Sequence, residues 1–217
     1  MADRGLGTCR GICGGGLDIG LGAMPIVNSM GQAAWARDLA RNLLERSLPR
    51  RWAHSQGVAA RAVELAPILG ADAELVEAAA WLHDIGYAPD LVDTGFHPLD
   101  GARYLRDVAK ADGRLCRLVA HHSCAVFEAE QRGLLDVLQA EFPQEAAELR
   151  QALTYCDMTT GPDGTHLHVN DRLAEIHSRY GPEHLVSRSI AKATPCITAA
   201  VESITGRLAD VRAAGIG

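Results

Sequence analysis

The sequence predicts an all-α protein built as a single domain, and three observations carry this. Apolar residues make up 47% of the 217 residues but aromatics only 5%. Ala and Leu dominate the apolar set, which favours helix over strand. Apolar positions recur three and four residues apart over long stretches, as they do along one face of a helix. Neither an internal repeat nor a strand–helix alternation is present, so one helical bundle is the simplest architecture for this length.

Residues 1 to about 30 are Gly-rich and lack an apolar period. They are expected to form a disordered tail, with Met24 and Met30 as alternative starts, leaving a domain over 31–217. A first helix runs from Ala33 to Arg46. Ser47-Leu48-Pro49 breaks it, and Pro49 suits the first turn of a second helix reaching about Leu69. Within that helix His54, Val58, Ala62, Leu65 and Leu69 share a face. Gly70 ends it, and Asp72 is placed to cap a third helix through about Asp84, with Leu75, Val76, Ala79, Ala80 and Leu82 turned inward. Gly86, Pro89, Gly95 and Pro98 mark a loop. Further helices are expected over about 98–110, 113–122, 127–140 and 143–157, the last two split at Pro143. Gly161-Pro162-Asp163-Gly164 reads as a turn. A helix from Asn170 to Tyr180 and a long one from about Glu183 to Ala213 form a C-terminal extension.

Charge and composition narrow the function classes. The net charge is -6 and no basic block exists, which argues against a duplex nucleic acid partner. A small anionic ligand in an Arg-lined pocket is compatible with it. There is no apolar run of about 18 residues and no charged-then-apolar leader, so no membrane partner and a cytoplasmic location are expected. Lysine occurs only at 110 and 192, an Arg-for-Lys bias of the kind a GC-rich bacterial genome produces. The six cysteines, Cys9, Cys13, Cys116, Cys124, Cys156 and Cys196, include no C-x-x-C pair and match no zinc ribbon. Cys9 and Cys13 are expected to be reduced thiols.

The chemistry lies in the histidines. Five of the nine fall between positions 54 and 122. Asp84 follows His83 at the end of the apolar stretch Ala78-Ala79-Ala80-Trp81-Leu82, and a carboxylate there must be paired or bound to metal. Neighbouring helical residues point about 100° apart, so a loosened last turn, with freedom supplied by Gly86, is needed for both to converge. For His54 alone, a core histidine would be the ordinary reading; the His83-Asp84 pair favours ligation. His166, His168, His177 and His184 are expected at the surface, and Glu175 and Arg179 to form a helical ion pair.

His54, His83-Asp84 in Leu-His-Asp-Ile-Gly, and Asp157 in Tyr-Cys-Asp-Met-Thr resemble, in that order, the H…HD…D signature of the HD-domain superfamily. The resemblance spans about residues 47 to 160. It implies an all-helical fold and a metal-dependent phosphohydrolase. His97 in His-Pro-Leu-Asp-Gly-Ala and the pair His121-His122 resemble the further histidines of the family's dinuclear subgroup. That resemblance assigns His54, His83 and Asp157 to one ion and His97 and His121 to another, with Asp84 bridging. His121 is preferred over His122 because Leu118 lies three residues before it, as in the family pattern; His122 is then left facing substrate as a candidate catalytic group. Imidazoles and carboxylates in this number suit Fe or Mn. Two ions can clamp the entering and leaving oxygens of a displacement and acidify a water toward neutral pH.

Two departures bear on function. Many family members carry a lysine three residues after the His-Asp pair; here Tyr87 stands there, a hydrogen-bond donor without charge. Another cation must meet phosphate, and Arg50, Arg51, Arg103 and Arg106 are the candidates. Ser-Cys-Ala follows His122 where the cyclic-dinucleotide phosphodiesterases have Gly-Tyr-Pro, which disfavours that activity. The expected function is hydrolysis of a small phosphate ester or anhydride, nucleotide-like in character, by a metal-bound hydroxide. The alternatives are a di-iron oxygenase cleaving a C–C or C–P bond and a non-catalytic helical binding module. Homo-oligomerisation stays open.

Overall fold

The computed structural model describes residues 31–215. The Gly-rich tail expected over 1–30, with Cys9 and Cys13, lies outside the described residues. Eleven α-helices form the described part: α1 Gln32–Leu44, α2 Pro49–Glu64, α3 Ala66–Leu69, α4 Ala73–Leu82, α5 His97–Asp107, α6 Gly113–Ala120, α7 Val126–Arg132, α8 Leu135–Glu141, α9 Ala147–Met158, α10 Val169–Tyr180 and α11 Leu185–Ala214. No strand occurs among the described residues; an isolated bridge joins Thr160 and His166. The all-α expectation holds.

Helix α4 is the hub. Six of its ten residues, Leu75, Val76, Ala78, Ala79, Ala80 and Leu82, are buried, and it packs on α1, α2, α6 and α9. Small side chains on successive faces let four helices approach one short rod. The C-terminus of α4 is therefore the middle of the molecule, and His83 and Asp84 follow directly. Outside this group, α11 packs along α9, α7 and α10.

Three local expectations are corrected. The second helix stops at Glu64 rather than Leu69, because Pro67 cannot donate to the ladder, and α3 restarts as a separate turn. Asp72 does not cap α4 through its side chain; its carboxylate pairs with Arg114 at 2.7 Å. The helix expected over 127–140 is two, since a bond from the Leu134 amide to the Ala129 carbonyl (2.8 Å) closes α7.

Gly86 has a different role from the one expected. It sits in the tight turn Ile85–Tyr87, and its φ is not in the left-handed region. A Cβ there would collide with the carbonyl of His97 and lie 2.7 Å from the Gly101 amide nitrogen. Gly86 is thus the contact point that lets the turn after α4 rest on the backbone of α5. Gly86→Ala is expected to cost about 1–3 kcal/mol, since the opposing atoms are main chain and cannot rotate away. Urea unfolding checks this; an unchanged midpoint would show that the two backbones do not need their close approach.

Candidate metal centre

His54 lies one turn into α2 and is buried. Its Nδ1 donates to the Gly161 carbonyl at 2.9 Å, so the glycine turn after α9 fixes the ring. That turn can reach α2 because Gly57 faces Gly164; a Cβ on Gly57 would strike the Gly164 backbone. The His54 Nε2 lies 2.9 Å from Asp157 Oδ1 and 4.0 Å from Asp84 Oδ2. His83, fully buried, donates Nδ1 to the Ala80 carbonyl at 2.8 Å. Its Nε2 has no hydrogen-bond partner and lies 3.5 Å from Asp84 Oδ2 and 3.9 Å from Asp157 Oδ1.

Asp84 stands between two donor groups. His54, His83 and Asp84 form one set of mutually close ligand atoms, and Asp84, His97 and His122 form another. His97 Nε2 is 3.4 Å from Asp84 Oδ1 and 3.1 Å from His122 Nε2. His122 donates Nδ1 to the Val119 carbonyl at 2.7 Å. Three imidazoles, those of His54, His83 and His122, thus spend Nδ1 on a backbone carbonyl and turn Nε2 inward, the arrangement that metal-binding histidines use. Asp157 closes the set from α9, with Oδ2 accepting from the Ser123 hydroxyl.

The second histidine of the second group is His122, and the expectation for His121 is corrected. α6 ends at Ala120, and Ser123 takes a left-handed conformation (φ 47, ψ 42). The chain therefore leaves the helical path immediately after His121. His121 keeps the buried face of Leu118, and its Nε2 donates to the Phe142 carbonyl at 2.6 Å, away from Asp84. The turn instead swings His122 to meet His97, where the end of α6 meets the start of α5.

The electrostatics suit a cation. Burial alone would raise the Asp84 carboxyl. The Arg51 guanidinium, 2.7 Å from Oδ2, and the imidazoles of His83, His97 and His54 outweigh that and hold it well below the usual carboxylate range. At Asp157 burial again pulls upward, and the bond from His54 with the nearby His83 outweighs it. Burial pushes His83 down to about 4, against the pull of Asp84 and Asp157, and lowers His97 strongly. Neutral imidazoles and ionised carboxylates are the protonation states that ligate divalent metals. The buried, unpartnered His83 Nε2 is the observation that most directly fits an ion.

A cleft opens over Asp84, His97, His122 and Asp157. Arg51 lines it, with its guanidinium 3.9 Å above the Tyr87 ring, which stacks in turn on His97 (centroids 3.9 Å apart). Arg50 and Arg51 both line an adjoining opening with His54, Pro162, Arg172 and Arg179. Arg103 and Arg106, expected to meet substrate, line neither space. Both bind Glu141, at 2.5 and 2.8 Å, because that carboxylate at the end of α8 faces the outer side of α5. Arg172 and Arg179 take their place. Arg172 is buried, binds Glu175 at 2.5 Å and lies 3.8 Å from Asp157 Oδ1. The expected Glu175–Arg179 pair is present at 2.6 Å, yet Arg179 also faces the cleft. Arg172, Ile176, Arg179 and Tyr180 all line it; their helical spacing on α10 was the signal that could have found them.

Of the remaining histidines, His166, His168 and His184 are exposed and His177 is half-buried. Cys124, beside Ser123, is disulfide-bonded to Cys196 of α11, while Cys116 and Cys156 are free and buried. No helix among the described residues is long and apolar enough to cross a membrane.

The geometry separates the adjacent histidines by experiment. His122→Ala should lose the ion held with His97, read as reduced Mn2+ content after dialysis. His121→Ala should retain full content. The reverse pattern would restore the assignment made from sequence.

Residues 51–157 match the family model described as HD domain. Ribonuclease Y of Rubrobacter xylanophilus is 34% identical over 101 residues, covering 43% of this chain and 19% of that protein. The chain thus spans about a fifth of that relative's length. No solved structure matches. The matched segment begins at Arg51 and ends on Asp157, encloses every residue of the two donor groups, and is an HD domain.

Proposed function

We propose that this protein is a metal-dependent phosphohydrolase acting on a small phosphate ester or anhydride. The carrying observation is the juxtaposition of a divalent-metal donor set, shared through Asp84, with an arginine-lined cleft. HD domains bind divalent metals and are in general phosphohydrolases. Similarity to a protein named Ribonuclease Y adds weight to chemistry at phosphorus.

His54, His83, Asp84 and Asp157 would hold one ion, and Asp84, His97 and His122 a second, of Fe or Mn character given imidazole and carboxylate donors. When bound, the ions supply Lewis acidity to the phosphoryl group and acidify a water. The chain's own residues do the rest. Arg51, Arg172 and Arg179 meet the phosphoryl oxygens and neutralise their charge. Arg51 answers the need left by Tyr87 at the lysine position, since its guanidinium lies beside Asp84 with its face on the Tyr87 ring. Water attacks phosphorus, the P–O bond to the leaving group breaks, and the alcohol of an ester, or the phosphate of an anhydride, leaves with a proton that water gives up. The arginines support the phosphate half of the nucleotide-like expectation.

One observation favours a second reading. The donor set is rich in histidine and Tyr87 replaces the lysine, as suits a di-iron oxygenase. The arginines, which an oxygenase without an anionic substrate would not need, weigh toward hydrolysis.

The test is orthophosphate release from a panel of phosphate esters and anhydrides by the full chain loaded with Mn2+ or Fe2+. Turnover is expected, with Asp84→Asn inactive. Arg179→Ala should lower kcat/KM roughly 10- to 100-fold, the loss of one charged hydrogen bond. Oxygen consumption by the iron form without phosphate release would overturn the proposal in favour of the oxygenase.

A further inference from the structure

The cleft over the donor set is not walled by the family-matched segment alone. α10 and α11, which lie beyond residue 157, supply Ile176, Val186, Ile190 and Ala193, and Phe127 and Met158 complete an apolar wall. A free phosphate, or phosphate on a sugar, has no use for such a surface. Apart from the Tyr87 and Tyr180 hydroxyls, which have no hydrogen-bond partner, the uncharged and acidic polar side chains among these walls are already engaged. Ser189 donates to the Leu185 carbonyl and accepts from Gln131, both at 2.9 Å. Glu128 is paired with Arg132 at 2.7 Å, and the Ser123 hydroxyl is given to Asp157. A nucleoside needs donors and acceptors for its ribose and base edges, and a site that reads them keeps such groups available. The cations, by contrast, are drawn up on one side, with Arg172 and Arg179 two helical turns apart.

Resting on the phosphohydrolase reading, we infer that the substrate is amphiphilic. It is a phosphate monoester of an apolar alcohol, alkyl or aryl, with its phosphate between the donor set and Arg51, Arg172 and Arg179. Its organic group lies along the wall from Phe127 to Ile190. The hydrolysis stays as written above, and the departing alcohol is the apolar product. Charge complementarity fixes the head, and apolar burial beyond the donor set fixes the tail. α10 and α11 are then the specificity elements, each contributing to the side that its cleft-facing residues dictate.

The experiment separates this inference from the reading beneath it. Calorimetry on the Mn2+-loaded full chain measures binding of n-alkylphosphonates from methyl to octyl, with adenosine 5′-monophosphate as the polar comparator. The matching alkyl phosphates are assayed for orthophosphate release. Affinity is expected to rise roughly three- to fourfold per methylene over the first several carbons, the increment for burying one CH2. Octylphosphonate is expected to bind tighter than the nucleotide. Ile190→Asn should reduce the octyl-to-methyl affinity ratio at least about tenfold, and Val186→Asn provides the same readout should the first variant fail to fold. A flat chain-length series, no phosphonate binding, or tighter binding of the nucleotide each overturns the inference. Chain-length-dependent binding without release from any phosphate ester sustains the amphiphilic ligand and sinks the hydrolase reading instead.

Discussion

Asp84 is an ionised carboxylate just past the end of the largely buried helix α4, 3% exposed. A lone charge there would be costly by many kcal/mol, and the interior answers by gathering opposite charge and donors around it. Arg51 comes from α2, His83 from the end of α4 and His97 from the start of α5. Each partner constrains the element that carries it. α2 must present its first turn, α5 must begin where the turn after α4 rests, and that turn must be thin enough, at Gly86, to allow it. Arg51 is therefore both part of the fold and part of the cleft lining. Removing one partner of a buried pair typically costs about 3–5 kcal/mol, so its contribution to phosphate binding cannot be read from a simple truncation. Arg179, more exposed and bound to Glu175, reports on the cleft more cleanly.

The histidines show how backbone geometry becomes metal chemistry. A ring with Nδ1 bound to a carbonyl has a fixed tautomer and a fixed direction. The carbonyls of Gly161, Ala80 and Val119 do this for His54, His83 and His122. Two of these carbonyls lie three residues before their histidine near a helix end, where main-chain acceptors lack helical donors. The third comes from a glycine turn that reaches α2 only because Gly57 has no side chain. Precise positioning thus rests on helix termini and glycine contacts, with little demand on side-chain choice elsewhere.

This explains which parts were legible in the sequence. The helices follow from apolar periodicity, and His83 and Asp84 stand out by their apolar context, while His54, His97 and Asp157 are singled out by the resemblance to the HD-domain signature; the structure brings all five together. The choice between His121 and His122 depended on where α6 stops. The family pattern, with Leu118 three residues earlier, selects His121, and the left-handed Ser123 instead turns His122 toward His97. A serine carries no signal for that conformation, which tertiary contacts impose. The arginines failed for another reason. Arg103 and Arg106 are near His97 in sequence, but a helix presents several faces, and Glu141 claimed theirs. Arg172 and Arg179 are far from the motif, and only the packing of α10 and α11 against the core brings them back. Local spacing predicts which residues share a face, while the partner of that face is a long-range property.

A division of labour follows from the same geometry. The segment 51–157 is self-sufficient for the donor set, since every ligand candidate lies within it. Its open side is not: Asp84, His97, His122 and Asp157 share one cleft with residues of α10 and α11. Chemistry conserved in kind can then be combined with different substrates by changing the covering helices without disturbing the buried carboxylates. Arg172 links the two parts most closely. It lies on a covering helix, is buried, and approaches Asp157 to 3.8 Å while held by Glu175. A cation there favours the ionised form of a ligand candidate and lines the cleft, so the covering layer also tunes the centre that it covers.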